Sequence, residues 1–349
     1  MKKIFNKELL ISRILPAIGI ILFLTGWISI TRLGFWTYNY QGFDSENIQW
    51  VVFRALSVFL FLIVGFGAFF EISKAFLEKW WLSVILAVFG TISLLGGKNF
   101  FEFITHSQSL ELSSYPSLQS VFSYNLFQDW LVYLFPLILI LVAALGRIWT
   151  VKDLSYKNFL MKMVVLYFVF LLINVFIKTF VLLLATPAGL SFLIILFMGA
   201  FLSDTFGFVS GILFGNKFIK AKLAPTISPK KTWEGLIGSV VFTIFGLILL
   251  IITAHYISQN SDNNNNDWYT IIFTNNNQNT YGLKSTLILF IILIPIISTF
   301  GDLSFSGIKR WCEIKDFSNI LAGHGGILDR LDSLMFVFLF FSLISLVPS

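Results

Sequence analysis

The sequence predicts an all-α polytopic integral membrane protein, on three observations. Only 12% of its positions are charged while 57% are hydrophobic, whereas a soluble domain carries about a quarter charged residues. Several apolar stretches reach the roughly 20 residues that cross a bilayer as a helix. Those stretches are continuous rather than alternating in period two, which disfavours a β-barrel. Helical spans also satisfy every backbone polar group inside the hydrocarbon.

About nine spans follow from the hydropathy pattern, near residues 14–30, 51–70, 81–96, 131–145, 163–184, 190–211, 236–256, 285–300 and 333–347. Basic residues fall in alternate connections. Lys2, Lys3, Lys7 and Arg13 precede the first span, and Lys74 and Lys79 follow the second. Arg147, Lys152 and Lys157 follow the fourth, and Lys217, Lys220, Lys222, Lys230 and Lys231 follow the sixth. Lys309, Arg310, Lys315 and Arg330 precede the last. The intervening connections are poor in Lys and Arg. The positive-inside rule then puts the N-terminus in the cytoplasm and the C-terminus outside. Trp50, Trp80, Trp81, Trp130 and Trp233 stand near span ends, where an interfacial aromatic belt belongs.

The net charge of +6 is explained by this loop bias, so no nucleic-acid partner is expected. A single cysteine, Cys312, excludes an intrachain disulfide framework. The first span lacks a small-x-small cleavage site and reads as a retained anchor. The Asn-rich stretches 260–267 and 275–279 read as a solvated external loop. Phe, Ile, Asn and Lys usage points to an AT-rich genome; separately, a multi-pass protein of a bacterial plasma membrane is expected. Unusual polar residues concentrate late in the chain. Residues 1–200 therefore read as a transmembrane scaffold, and residues 201–349 as a transmembrane catalytic region with cytoplasmic loops.

Three constellations carry chemistry. Asp204 lies in the sixth span, followed by Gly207, Gly211 and Gly215 on one helix face. A carboxylate near hydrocarbon is expensive and is a functional candidate by default. The glycines fit either tight helix packing or close approach of a ligand. The second constellation is Ser228, Pro229, Lys230, Lys231, Thr232, Trp233, Glu234 and Gly235. Thr232 is a predicted N-cap of the seventh span. A helix start beside two lysines suits a polyphosphate, although an ordinary basic loop with a capped helix has the same look. The third runs from Asp302 through Ser306, Lys309, Arg310, Lys315 and Asp316 to Gly323, His324, Gly325, Gly326, Asp329, Arg330 and Asp332. Carboxylates converging from two helices suit Mg²⁺, which takes oxygen ligands and completes its shell with water and phosphate. Gly325 and Gly326 would let a phosphate or sugar approach the backbone. A solvated loop with salt bridges is the plainer alternative.

At these residues the sequence resembles the phosphatidate cytidylyltransferase family, the CDP-diacylglycerol synthases. The family's S-x-x-K-R, K-D and H-G-G-x-x-D-R-x-D pattern corresponds to Ser306–Arg310, Lys315–Asp316 and His324–Asp332. Its S-P-x-K-T-x-x-G segment corresponds to Ser228–Gly235. Two positions depart from the pattern: Ala322 stands where the family has Pro, and Phe208 where it has an aromatic hydroxyl. The resemblance implies transfer of the cytidylyl group of CTP to phosphatidate, giving CDP-diacylglycerol and pyrophosphate at the cytoplasmic face. On that footing Asp302, Asp329 and Asp332 are expected to hold one or two Mg²⁺ ions, with Asp204 in support. Lys230 and Lys231 would hold the triphosphate, and Lys309 and Arg310 the lipid phosphate. Ser228, Pro229, Thr232, Glu234, Ser306, Gly325 and Gly326 would line the substrate site. His324 would donate a hydrogen bond or organise its loop. The resemblance also implies a homodimer. A polyprenol kinase or CDP-archaeol synthase would share polar membrane helices but differ in acceptor. A transporter would need its charged groups at the midplane.

Overall fold

The structure is a computed structural model that describes residues 15–35, 48–77, 79–105, 121–150, 156–186, 189–259, 280–320 and 325–346. Its helices are α1 (Leu15–Phe35), α2 (Ile48–Phe76), α3 (Trp80–Leu95), α4 (Lys98–Thr105), α5 (Leu131–Thr150), α6 (Tyr156–Ala185) and α7 (Gly189–Phe214). After a hairpin of β1 (Lys222–Ala224) and β2 (Ser228–Thr232) come α8 (Trp233–Gln259), α9 (Thr280–Trp311) and α10 (Leu328–Ile344).

Among the described residues, seven helices are long and apolar enough to cross a membrane: α1, α2, α5 to α9. Helices α3 and α4 meet at a 74° bend and would raise the count to eight as one broken span. Helix α10 has 17 residues, short of the roughly 20 that span a bilayer upright. A helix stands at each expected span position. The departure from an all-helical chain is the hairpin, whose strands pair antiparallel with Lys222 opposite Thr232 and Ala224 opposite Ser228.

Contacts divide the chain into two compact units. The sequence placed one boundary after residue 200, whereas the first unit ends at Ala185 and also takes Trp311–Leu331. In the first unit α6 is the central helix, with 89% of its spanning window buried. Its Phe170, Ile173, Ile177 and Phe180 lie in the core. The buried Lys178 of α6 donates to the carbonyl of Gly96 and lies 4.9 Å from the Phe100 ring centroid. Asp129, within Coulombic reach of Lys178, accepts from the N–H of Asn99 at 3.2 Å and of Leu131 at 3.3 Å. One charge thus meets the carbonyl end of α3 and the other the N–H ends of α4 and α5, each matched in sign to its helix terminus. Gly97, at φ +111°, makes the bend, and a Cβ there would lie 2.6 Å from Asp129 Oδ2.

The second unit comprises Thr186–Arg310 and Asp332–Ser349. Helices α7 and α8 pack closely through small residues. A Cβ on Gly235 would lie 2.9 Å from the carbonyl oxygen of Gly207 and 3.5 Å from Cα of Gly211. The 207 and 211 glycines thus serve the small-xxx-small contact of membrane helices. Ser203 and Ser239 add a hydroxyl pair at 2.9 Å across the same seam. Helix α7 ends at Phe214, and Asn216 then takes a φ of 60°, a usual way to leave a helix.

Candidate active site

Three helices of the second unit each contribute one carboxylate: Asp204 from α7, Asp302 from α9 and Asp332 from α10. Asp302 is within Coulombic reach of both others. Like charges gathered in apolar surroundings need cations or hydrogen bonds, and the chain supplies both. Lys231 Nζ lies 2.6 Å from Asp302 Oδ2. Lys309 Nζ lies 3.9 Å from Asp332 Oδ2. Ser306, one turn after Asp302, donates to its Oδ1 at 3.2 Å. Ser333 donates its hydroxyl to Asp204 at 3.3 Å and its N–H to Asp332 at 2.8 Å.

A pocket of about 390 Å³ opens beside this cluster, lined by Asp204, Asp302, Ser228, Lys230, Lys231 and Thr232 among others. Gly207, Gly211 and Phe208 also line it, so the glycine face serves both helix packing and the pocket wall. Thr232 caps α8, accepting from the N–H of Gly235 at 3.1 Å, as the sequence predicted. Pro229 sits within β2. Glu234 is drawn elsewhere: its Oε1 accepts from the N–H of Phe218 at 3.0 Å and of Ile219 at 2.8 Å. It fixes the segment after α7. Arg310 donates to the carbonyl of Ile227 at 3.4 Å, beside the hairpin turn.

The part of the signature from Lys315 to Arg330 belongs to the first unit, and its described residues are arranged differently. Asp329 Oδ2 accepts from the N–H groups of Phe317 and Gly326, both at 2.9 Å. Glu71, on α2, accepts through Oε1 from the Ser318 hydroxyl at 2.5 Å and the Ile327 N–H at 3.0 Å. Its Oε2 accepts from the Leu328 N–H at 2.8 Å. Gly325 has a φ of +82°, and a Cβ on Gly326 would lie 2.6 Å from Glu71 Oε1. These glycines admit the chain's own carboxylates to the backbone, where the sequence reading expected a substrate phosphate. Gly323 and His324 lie outside the described residues. Glu71 was missed from sequence because the second span was ended at Phe70. An acidic residue closing an apolar run was the available signal.

Among the described residues, no group of three or more His, Cys, Asp or Glu side chains is gathered to hold a metal ion by itself. The donor chemistry nevertheless fits Mg²⁺, which binds through one or two carboxylates and takes its other oxygens from water and phosphate. Asp204 and Asp302 both line the pocket, and the Lys231 ammonium against Asp302 stands where positive charge is wanted.

The cytidylyltransferase family matches residues 72–347, more than half of the sequence. The chain belongs to that family. It is 36% identical over 149 residues to a phosphatidate cytidylyltransferase of Staphylococcus haemolyticus, covering 43% of this chain and 46% of the relative. It is 37% identical over 154 residues to one of Haemophilus influenzae, covering 44% and 45%. A third, of Rickettsia bellii, is 30% identical over 209 residues, covering 59% and 78%. The match thus spans a little under half the length of the first two relatives. The family region contains Asp204, the hairpin and the whole signature, and it begins one residue after Glu71.

Proposed function

We propose that the protein transfers the cytidylyl group of CTP to phosphatidate, forming CDP-diacylglycerol and releasing pyrophosphate. The carrying observation is the pocket of the second unit. It combines paired lysines and a capped helix start with two carboxylates on apolar helices. A phosphatidate oxygen attacks the α-phosphorus of CTP. The bond from that phosphorus to the bridging oxygen breaks, and pyrophosphate leaves with the electron pair. Phosphatidate is already ionised near pH 7, so no residue need act as a general base. The task is positioning and charge neutralisation, as in phosphoryl transfer generally.

Lys230 and Lys231 hold the triphosphate at the start of α8, and Lys309 and Arg310 orient the lipid phosphate. Asp302 and Asp204, which both line the pocket, would hold one or two Mg²⁺ ions with Asp332 in support, and the metal would supply positive charge to the phosphate oxygens. Ser306 and Ser333 keep these carboxylates oriented. Asp329 acts through its loop in this reading, and His324 donates a hydrogen bond. The lysine-rich segment after α7 supports a site at the cytoplasmic face of the plasma membrane. Nine crossings, counting the α3–α4 pair and α10, with a cytoplasmic N-terminus and a homodimeric assembly, complete the reading.

The test is purified protein with CTP, Mg²⁺ and a panel of lipid acceptors, assayed for pyrophosphate and a new lipid. Phosphatidate should yield both products in equal amounts, in detergent and without a sealed membrane. CDP with a phosphorylated polyprenol, pyrophosphate only with an archaeal lipid, or no turnover with phosphatidate, would overturn the reading.

A further inference from the structure

We propose that Glu71 is a positioning residue for this reaction, tying Ser318 to the Ile327–Leu328 turn by filling the anion site at the start of α10. The functional half of the proposal rests on the cytidylyl-transfer reading; the clamp itself does not. Glu71 is 1% exposed. Such a carboxylate is costly unless its oxygens are well bonded. Its bonded partners are neutral: the Ser318 hydroxyl and the N–H groups of Ile327 and Leu328.

The first N–H groups of a helix have no intrahelical acceptor, and the helix dipole favours negative charge beside them. In many nucleotide-binding proteins a substrate phosphate takes such a place. Here an internal carboxylate has it. Asp329 binds the same turn from the other side, through Gly326 and Phe317. The segment is therefore held at both ends, at 317–318 and at 326–328, by two carboxylates. Gly326 is the one residue type that lets Glu71 come so close. Asp332 follows Leu328 by one turn of the same helix, so the helix whose start Glu71 binds is the one that carries that carboxylate. Two acceptor oxygens are needed, because one of them faces a hydroxyl and an N–H while the other faces a second N–H.

Glu71→Gln tests this requirement with almost no change of shape. Whichever way it is turned, its amide would set an N–H against a backbone N–H, that of Ile327 or that of Leu328. Turnover per folded molecule should fall by about tenfold or more, while the KM for CTP shifts by less than about twofold. Hydrogen exchange of the 318–328 segment should speed up by a similar factor. Ser318→Ala, which removes one bond of three, should cost about two- to fivefold in both readouts. A Glu71→Gln protein with wild-type turnover, or with unchanged exchange in this segment, overturns the proposal. If that variant does not fold, Ser318→Ala decides: wild-type values in both readouts overturn the proposal. If the unmodified protein makes no CDP-diacylglycerol, the functional reading fails, and the exchange arm still tests the clamp.

Discussion

The two units use carboxylates in opposite ways. In the first, Glu71 and Asp329 accept from backbone N–H groups. Those donors are fixed in place by the chain, and no ligand can take them without undoing the loop. In the second, Asp302 is answered by a lysine and a hydroxyl, Asp204 by a hydroxyl, and Asp332 by a lysine together with the N–H of Ser333. Lysine is a flexible point charge, and a cation or phosphate can take its place at little structural cost. Backbone-bound carboxylates shape the protein, and lysine-bound carboxylates beside a pocket are available for exchange. Residue type alone does not separate the two, since both sets are acidic residues of the helices or of their first turns.

That contrast can be broken in several ways. Asp302→Asn should lower Mg²⁺-dependent turnover by about a thousandfold or more and leave thermal unfolding in detergent unchanged or slightly raised, because a half-buried like charge beside Asp204 and Asp332 is gone. A parallel loss of stability would move Asp302 into the structural class. Lys231→Ala should raise the KM for CTP by about ten- to a hundredfold, with a much smaller effect on phosphatidate; equal effects on both substrates would remove the assignment to the triphosphate. Asp329→Ala should act chiefly on the fold, costing about 1–3 kcal/mol as two N–H groups lose their acceptor. Denaturation monitored by tryptophan fluorescence measures that cost, and an unaltered transition would contradict it. The smallest effect is expected for Thr232→Ala, about 1 kcal/mol from loss of the α8 cap, read from the same transition.

Much of this was legible in the sequence because it depends on local pattern. Apolar runs found the helices, and a hydroxyl before Trp233 found the α8 cap. A carboxylate inside an apolar span found Asp204, and clustered charge at a membrane boundary found Asp302 and Asp332. The parts that were missed depend on partners distant in sequence. Glu71 meets Ile327 across more than 250 positions, and nothing near Gly325 or Gly326 announces it. The glycines were legible as a close approach, but the approaching group was not. The hairpin was hidden because Lys222–Ala224 and Ser228–Thr232 are too short and too polar to show a strand period. The short helix Lys98–Thr105 beyond the Gly96–Gly97 bend was likewise missed, because the third span was ended at residue 96 and the sequence after it read as a loop.

The claim that the pocket carboxylates exchange lysine for ligand is tested most directly by titrating the purified protein with CTP, with and without Mg²⁺. The account predicts CTP binding that requires Mg²⁺ and is weakened by about tenfold or more in Lys231→Ala. Equal affinity with the metal removed, or undiminished affinity in that variant, would contradict it.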